Sequence, residues 1–209
     1  MKKFFRNMAF VGAMALSGAF FASCDEDTTT SMVLSGDWTG NFGMCYDYEW
    51  RGHYYTYDSY HTDISFVPSY DYSTSGYGYQ VDHYNDGPYE VIYHYFTWKV
   101  EHKTIYLTYL GERDLNTCIY EYKMTNNSLT GYFDNASQRF SLRKVADYYD
   151  WTPYINEFDG KYYGSRRRDS WYNSHTPRTR AEAADIADEA MTEEGTIVRI
   201  GNRFSEGRE

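Results

Sequence analysis

Basic side chains are in deficit in this chain of 209 residues: 20 Lys and Arg stand against 30 Asp and Glu, a formal net charge of −10. Nucleic acid is held through a basic footprint on its phosphates, so nucleic acid and acidic polysaccharide are set aside as partners. The motifs of readable chemistry are missing too. There is no nucleophile elbow, no phosphate-cradling glycine loop, no HExxH helix and no EF-hand loop. Gly76-Tyr77-Gly78 has the glycines but no helix after it, and reads as a hairpin. No catalytic residue, metal ligand or cofactor is assigned, and the chain reads as a non-enzyme. Past residue 24 no apolar run approaches the roughly 18 residues that a membrane-crossing helix takes. Cysteines number only three, Cys24, Cys45 and Cys118.

Aromatic residues, by contrast, are abundant: 25 Tyr, 12 Phe and 5 Trp, 20% of the chain. The stretch Gly36–Trp50 sorts them by parity. Trp38, Gly40, Phe42, Met44, Tyr46, Tyr48 and Trp50 fall on one face, and Asp37, Thr39, Asn41, Gly43, Cys45, Asp47 and Glu49 on the other. Successive strand side chains point to opposite faces, so the alternation predicts one long strand with an apolar side. Arg51-Gly52 turns it back into a run from His53 to Val67, ended by Pro68. The two arms are longer than a small barrel is tall, which predicts that the Tyr46–Tyr60 tip protrudes as a Tyr-rich flap. Further strands follow at Ser73–Asp82, Ile92–Val100, Ile105–Tyr109, Cys118–Thr125, Leu129–Phe133 and Arg139–Lys144. About eight short strands at regular spacing, with no helix between them, predict an all-β sandwich or barrel. Residues 32–145 suffice for one core and not two.

The chain opens on Met1-Lys2-Lys3-Phe4-Phe5-Arg6 and then carries no charge from Asn7 to Ser23, the layout of an export signal. It closes on Phe21-Ala22-Ser23-Cys24, which resembles the lipobox of bacterial lipoproteins, with Phe21 where that family usually has Leu or Val. The resemblance implies cleavage of residues 1–23, a diacylglycerol (palmitate-type) anchor on Cys24 and an outer-membrane, cell-surface location. Such acyl chains suffice for stable anchoring. Cleavage removes Lys2, Lys3 and Arg6 and leaves 17 basic against 30 acidic side chains, net −13. Residues 24–31 then read as a polar tether. Its Asp25-Glu26-Asp27 is similar to a surface-export signal, and Asp27-Thr28-Thr29 to an O-glycosylation acceptor, of certain Gram-negative anaerobes. With Cys24 acylated, Cys45 and Cys118 remain, and one disulfide is open to them in an exported protein.

Gly36-x-Trp38 is similar to the opening of the lipocalin and calycin barrels. Phe96-x-Trp98, Ile105-x-Leu107-x-Tyr109, Leu129-x-Gly131-x-Phe133 and Phe140-x-Leu142 resemble the small lipocalin-like domains of bacterial surface lipoproteins. The resemblance covers the barrel only. It implies an antiparallel up-and-down barrel of about eight strands, with a ligand cavity at its open end. The expected lining is Trp38, Phe42, His94, Phe96, Trp98, Tyr109 and Phe133. His94 reads first as a hydrogen-bonded core histidine, since it shares the apolar face of its strand with Trp98. The six His are scattered along the sequence, though a barrel can gather some of them. Asp47 and Glu49 read as solvated.

Beyond the barrel, residues 146–209 read as an aromatic extension followed by a mostly disordered tail. Thr179-Arg180-Ala181-Glu182 has capping-box spacing and predicts a helix over 179–191. The rows Tyr54, Tyr55, Tyr57, Tyr60 and Tyr70, Tyr72, Tyr77, Tyr79 exceed what one core can hold. Tyr is a good strand residue on exposed faces and also a good recognition and sugar-stacking residue. Two functions are therefore expected of the chain. One is a non-catalytic, membrane-anchored binding module for a small molecule or a glycan. The alternative is an accessory or structural subunit docked on another envelope protein.

Overall fold

A computed structural model describes residues 26–111, 115–134, 138–146, 163–168 and 195–202. The signal segment 1–23, Cys24 and the predicted helix 179–191 lie outside the described residues. A helix over residues 26–34 (α1) leads into eleven strands. They are β1 (Gly36–Asn41), β2 (Met44–Trp50), β3 (His53–Pro68), β4 (Ser75–Tyr84), β5 (Tyr89–Glu101) and β6 (Thr104–Tyr109), then β7 (Thr117–Met124), β8 (Ser128–Phe133), β9 (Phe140–Ala146), β10 (Tyr163–Arg167) and β11 (Thr196–Asn202).

Strands β3 to β9 pair each with the next, all antiparallel, and β1 closes the ring between β9 and β3. The result is a closed eight-stranded antiparallel barrel. Trp38 marks the seam: it stands opposite Ile64 on β3 and Lys144 on β9. Around the ring the inward residues are apolar, and Trp38, Phe42, Ile64, Phe96, Ile105, Ile119, Leu129 and Phe133 are all fully buried.

The first strand is broken where the alternation predicts continuity. Gly43 takes a left-handed φ of 70°, and the Asn41 carboxamide oxygen accepts its amide at 2.6 Å, an Asx-type turn that interrupts the ladder. Below the break β1 pairs with the far half of β3, from Gly36↔Phe66 to Gly40↔Thr62. Above it β2 pairs with the near half, from Cys45↔Asp58 to Trp50↔His53, and takes β11 on its other edge. The inward phase survives the break, because Met44, Tyr46 and Tyr48 stay buried with Trp38 and Phe42. The β2–β3 hairpin turns at Arg51-Gly52, both at positive φ (53° and 74°), the twist-matched hairpin geometry.

Two further segments differ from the sequence expectation. Residues 26–31, read as a tether, are helical. The run Thr28-Thr29-Thr30 has poor helix propensity, and tertiary contacts supply what it lacks. Leu34 is fully buried, the Ser31 hydroxyl donates to the Ser73 carbonyl, and Asp27 accepts the amides of His102 (3.0 Å) and Lys103 (3.3 Å). α1 thus covers one end of the barrel. Within the expected tail, β10 extends the sheet along β5 and β11 extends it along β2.

Candidate functional site

The seven residues expected to line a cavity are brought together, and they pack on one another. None is more than 4% exposed. Phe42 meets Phe133 and Phe140 edge-on, each at 4.9 Å between centroids. Phe66 stands between Phe96 (5.5 Å) and Trp98 (6.1 Å), and Phe96 reaches Tyr109 at 5.5 Å. The Trp38 indole donates to the Leu34 carbonyl at 2.7 Å, and that of Trp98 to the Tyr77 carbonyl at 3.0 Å. Packing is close enough that only glycine fits at 78, where an added Cβ would lie 2.1 Å from Phe96 Cζ and 2.4 Å from the Ser65 carbonyl oxygen.

Above these rings the interior turns polar. Gln80 and Asp82 on β4, His94 on β5 and Thr62 on β3 are each 1% exposed or less. Thr62 donates to Asp82 Oδ1 at 2.6 Å, Gln80 Nε2 to Oδ2 at 2.8 Å, and the Tyr109 hydroxyl to Gln80 Oε1 at 2.6 Å. His94 Nε2 lies 3.6 Å from Asp82 Oδ2, an ion-pair distance too long for a hydrogen bond. Burial pushes the Asp82 carboxyl up to about 7, against the Thr62 and Gln80 hydrogen bonds that pull it down. Burial also pushes His94 down to about 3. Both shifts favour the uncharged form. The bonds of Thr62, Gln80 and Tyr109 around the buried carboxyl tie β3, β4 and β6 together. The strand pattern contains a sign of this cluster, since Gln80 and Asp82 share parity with Gly78 opposite the apolar face of β5.

The outer wall gathers two of the scattered histidines. His61 and His83 face each other across β3 and β4, and Asp63 sits between them, 3.0 Å from His61 Nε2 and 3.1 Å from His83 Nε2. Thr39 donates to the same carboxylate at 2.8 Å. Burial raises the Asp63 carboxyl, but the His83 and Thr39 hydrogen bonds and both imidazoles outweigh it and hold Asp63 below the usual carboxylate range. Among the described residues no group of three His, Cys, Asp or Glu is arranged to hold a metal ion. Asp47, expected to be solvated, instead accepts from Thr56 and from Arg199 of β11, each at 2.6 Å. These bonds outweigh burial and hold its carboxyl low. The disulfide open to Cys45 and Cys118 is not formed.

One of two concentrations of exposed aromatic surface is the flap. Tyr46 and Tyr48, on its barrel side, are buried against Tyr57, Tyr84 and Tyr89. Toward the tip the same hairpin opens to solvent, with Tyr54 69% and Tyr55 38% exposed. Tyr55 lies nearly parallel to Tyr57 (6.4 Å, 19°) and beside His53 (6.5 Å). Arg51 covers Trp50 at 4.4 Å. A row of rings with one open face is a stacking platform for a sugar ring or a planar ligand.

Comparison of the chain with family models, with curated proteins and with solved structures gives no match.

Proposed function

We propose that the protein is a non-catalytic, lipid-anchored binding module of the bacterial outer surface that takes a glycan or a small planar molecule on its Tyr-rich flap. The observation that carries the reading is the ring row His53, Tyr55 and Tyr57, open to solvent toward the tip, on a hairpin whose base is locked by buried Tyr46 and Tyr48. Rigid aromatic anchors lose little conformational entropy on binding, and the locked base supplies the rigidity. The filled interior argues for the flap over the barrel lumen as the ligand's place. The anchor on Cys24 and the exported location rest on the lipobox resemblance.

Native mass spectrometry of the mature protein from its own host tests this, followed by titration of the recovered ligand or an oligosaccharide library. His53→Ala/Tyr55→Ala is expected to weaken binding at least tenfold, since each stacked ring contributes about 1 kcal/mol. Binding unaffected by that variant refutes the flap as the site. One observation favours the accessory-subunit reading. β11 ends the sheet order, so one of its edges has no strand beside it among the described residues. Such an edge accepts a partner strand. Crosslinking through Val198, which is 46% exposed, to an envelope protein on intact cells would shift the assignment.

A further inference from the structure

The second concentration of exposed apolar side chains lies at the other end of the barrel, around α1. Met32 is 53% exposed, Tyr70 71%, Tyr72 69%, and Val145 at the end of β9 45%. Grooves flank the helix on both sides. One, of about 290 Å³, is lined by Met32, Pro68, Asp71 and Tyr72, and the other, of about 510 Å³, by Met32, Val33, Lys144 and Val145. Tyr72 is held outward at a left-handed φ of 65°, a strained state for a tyrosine that persists only where its surroundings impose it. Here Ser31 and Ser73 impose it, through the Ser31 hydroxyl on the Ser73 carbonyl and the Ser73 amide on the Tyr70 carbonyl at 3.0 Å.

Two acidic groups of this end are matched locally, and Asp71 stands exposed at the lip of the first groove. Glu26 pairs with Lys103 at 2.9 Å and Asp27 accepts two turn amides. What remains is an apolar rim with one exposed carboxylate, Asp71, around a short helix. Residue 24 stands two residues before Glu26, at most about 7 Å of chain. β3 runs 16 residues, from the flap at His53 to Pro68 beside α1, roughly 50 Å at strand rise.

We infer that Met32, Tyr70, Tyr72 and Val145 form a seat on a phospholipid bilayer surface, the rings lying at headgroup depth and the flap held away from the membrane. Tyr suits that depth because its body is apolar and its tip polar. The acyl chains hold the protein to the bilayer but leave its orientation free, and an apolar contact beside the anchor fixes that orientation. The inference rests on the lipid-anchor reading for what brings the seat to a membrane.

The test uses the mature chain from residue 24 in two forms, acylated and Cys24→Ser, both with Cys118→Ser. An environment-sensitive fluorophore is placed at Met32→Cys or, for contrast, at Tyr54→Cys. The protein is mixed with phosphatidylcholine–phosphatidylethanolamine vesicles containing a brominated-chain lipid. The residue-32 probe is expected to shift to the blue and be quenched, and the residue-54 probe to do neither. In the Cys24→Ser form, Tyr70→Ser/Tyr72→Ser is expected to lower vesicle partition about tenfold with an unchanged thermal melt. A residue-32 probe as water-exposed as the residue-54 probe on acylated, vesicle-bound protein overturns the seat while leaving the anchor standing. If the host adds no acyl chain, the anchor fails and the Cys24→Ser partition decides the seat alone. A tenfold loss in the tyrosine variant keeps the seat, and an unchanged partition removes it.

Discussion

Between pH 4 and 6.5 the Asp82–His94 pair should leave no trace on stability, and removing either partner should expose a steep slope. In the fold, burial keeps Asp82 protonated to about 7 and His94 neutral to about 3. The folded pair therefore holds one proton, on the carboxyl. In the unfolded chain Asp82 ionises near 3.8 and His94 protonates near 6.5, so it too holds one proton, on the imidazole. Stability changes with pH only where the two states bind different numbers of protons. The pair is silent across that window because folding moves the proton without changing the count.

Asp82→Asn leaves His94 with a lowered folded pKa. As pH falls from 6.5 toward 3 the unfolded chain takes up a proton that the fold refuses, and stability drops by about 1.4 kcal/mol per pH unit. His94→Gln leaves Asp82 with a raised folded pKa. Its extra stability is complete below pH 3.8 and is lost as pH rises toward 7, on the order of 4 kcal/mol in total. The assay is urea unfolding at pH 4.5, 5.5 and 6.5, each variant read as a difference from the parent so that other carboxylates cancel. The two single variants should slope in opposite directions, and the double variant should be flat again. Single variants as flat as the parent would mean that water reaches the site, and the reasoning fails.

Phe42→Ala should cost about 3–5 kcal/mol, because the ring packs edge-on to two others and leaves a void that cannot collapse; a loss under about 1 kcal/mol in the urea midpoint would mean the lumen is hollow. Gly78→Ala should cost about 2–3 kcal/mol, since the new methyl meets both a ring and a backbone oxygen; a neutral result in thermal denaturation contradicts that packing. The low pKa of Asp63 contributes stability that is present above the ordinary carboxylate range and lost as pH falls through the folded value; Asp63→Asn should therefore start less stable at pH 6 and lose less on going to pH 3 in urea melts. In a form without Cys24, a thiol reagent should label Cys118 slowly, because burial and then Asp134 raise its pKa, and Cys45 only after unfolding. A mass two units low without reductant would show a disulfide instead.

The parts of this fold legible in the sequence are those where one face of a strand is buried and the other is not. Trp38, Phe42, Met44, Tyr46 and Tyr48 could be assigned inward from parity alone, since burial on a pleated strand has a period of two. The break at Gly43 was illegible because it keeps that parity while changing partners. α1 was illegible because its helicity comes from Leu34, Ser31 and Asp27 finding the barrel, not from three consecutive threonines. β10 and β11 lie along strands already in the sheet, and Ile197 and Ile200 alone among exposed neighbours leave no alternation to read. Contacts across long stretches of chain fail for a different reason. Asp47 looks solvated until Arg199 arrives, and Asp63 shows no imidazole neighbours until the register sets His61 against His83.

The candidate lining shows a limit of the same kind. Parity says which side chains point inward but not whether they meet, and Trp38, Phe42, Phe96, Trp98 and Phe133 would share one parity in a hollow barrel and in a filled one. The difference lies in ring separations near 5 Å and in a glycine at 78 that yields its Cβ volume to Phe96. A barrel filled in this way would have to do any binding outside the lumen. Its surplus of tyrosine then has a physical reading, because rings that no core can absorb lie on the outer wall, as Tyr77, Tyr79 and Tyr95 do, and at the two ends. At one end they stack in a row on a braced hairpin, and at the other they ring the helix through which the chain leaves toward Cys24. On the proposed reading, a recognition face and a membrane face would sit at opposite ends of one 16-residue strand, as a short-tethered module needs, because the bilayer otherwise blocks whatever lies beside the anchor.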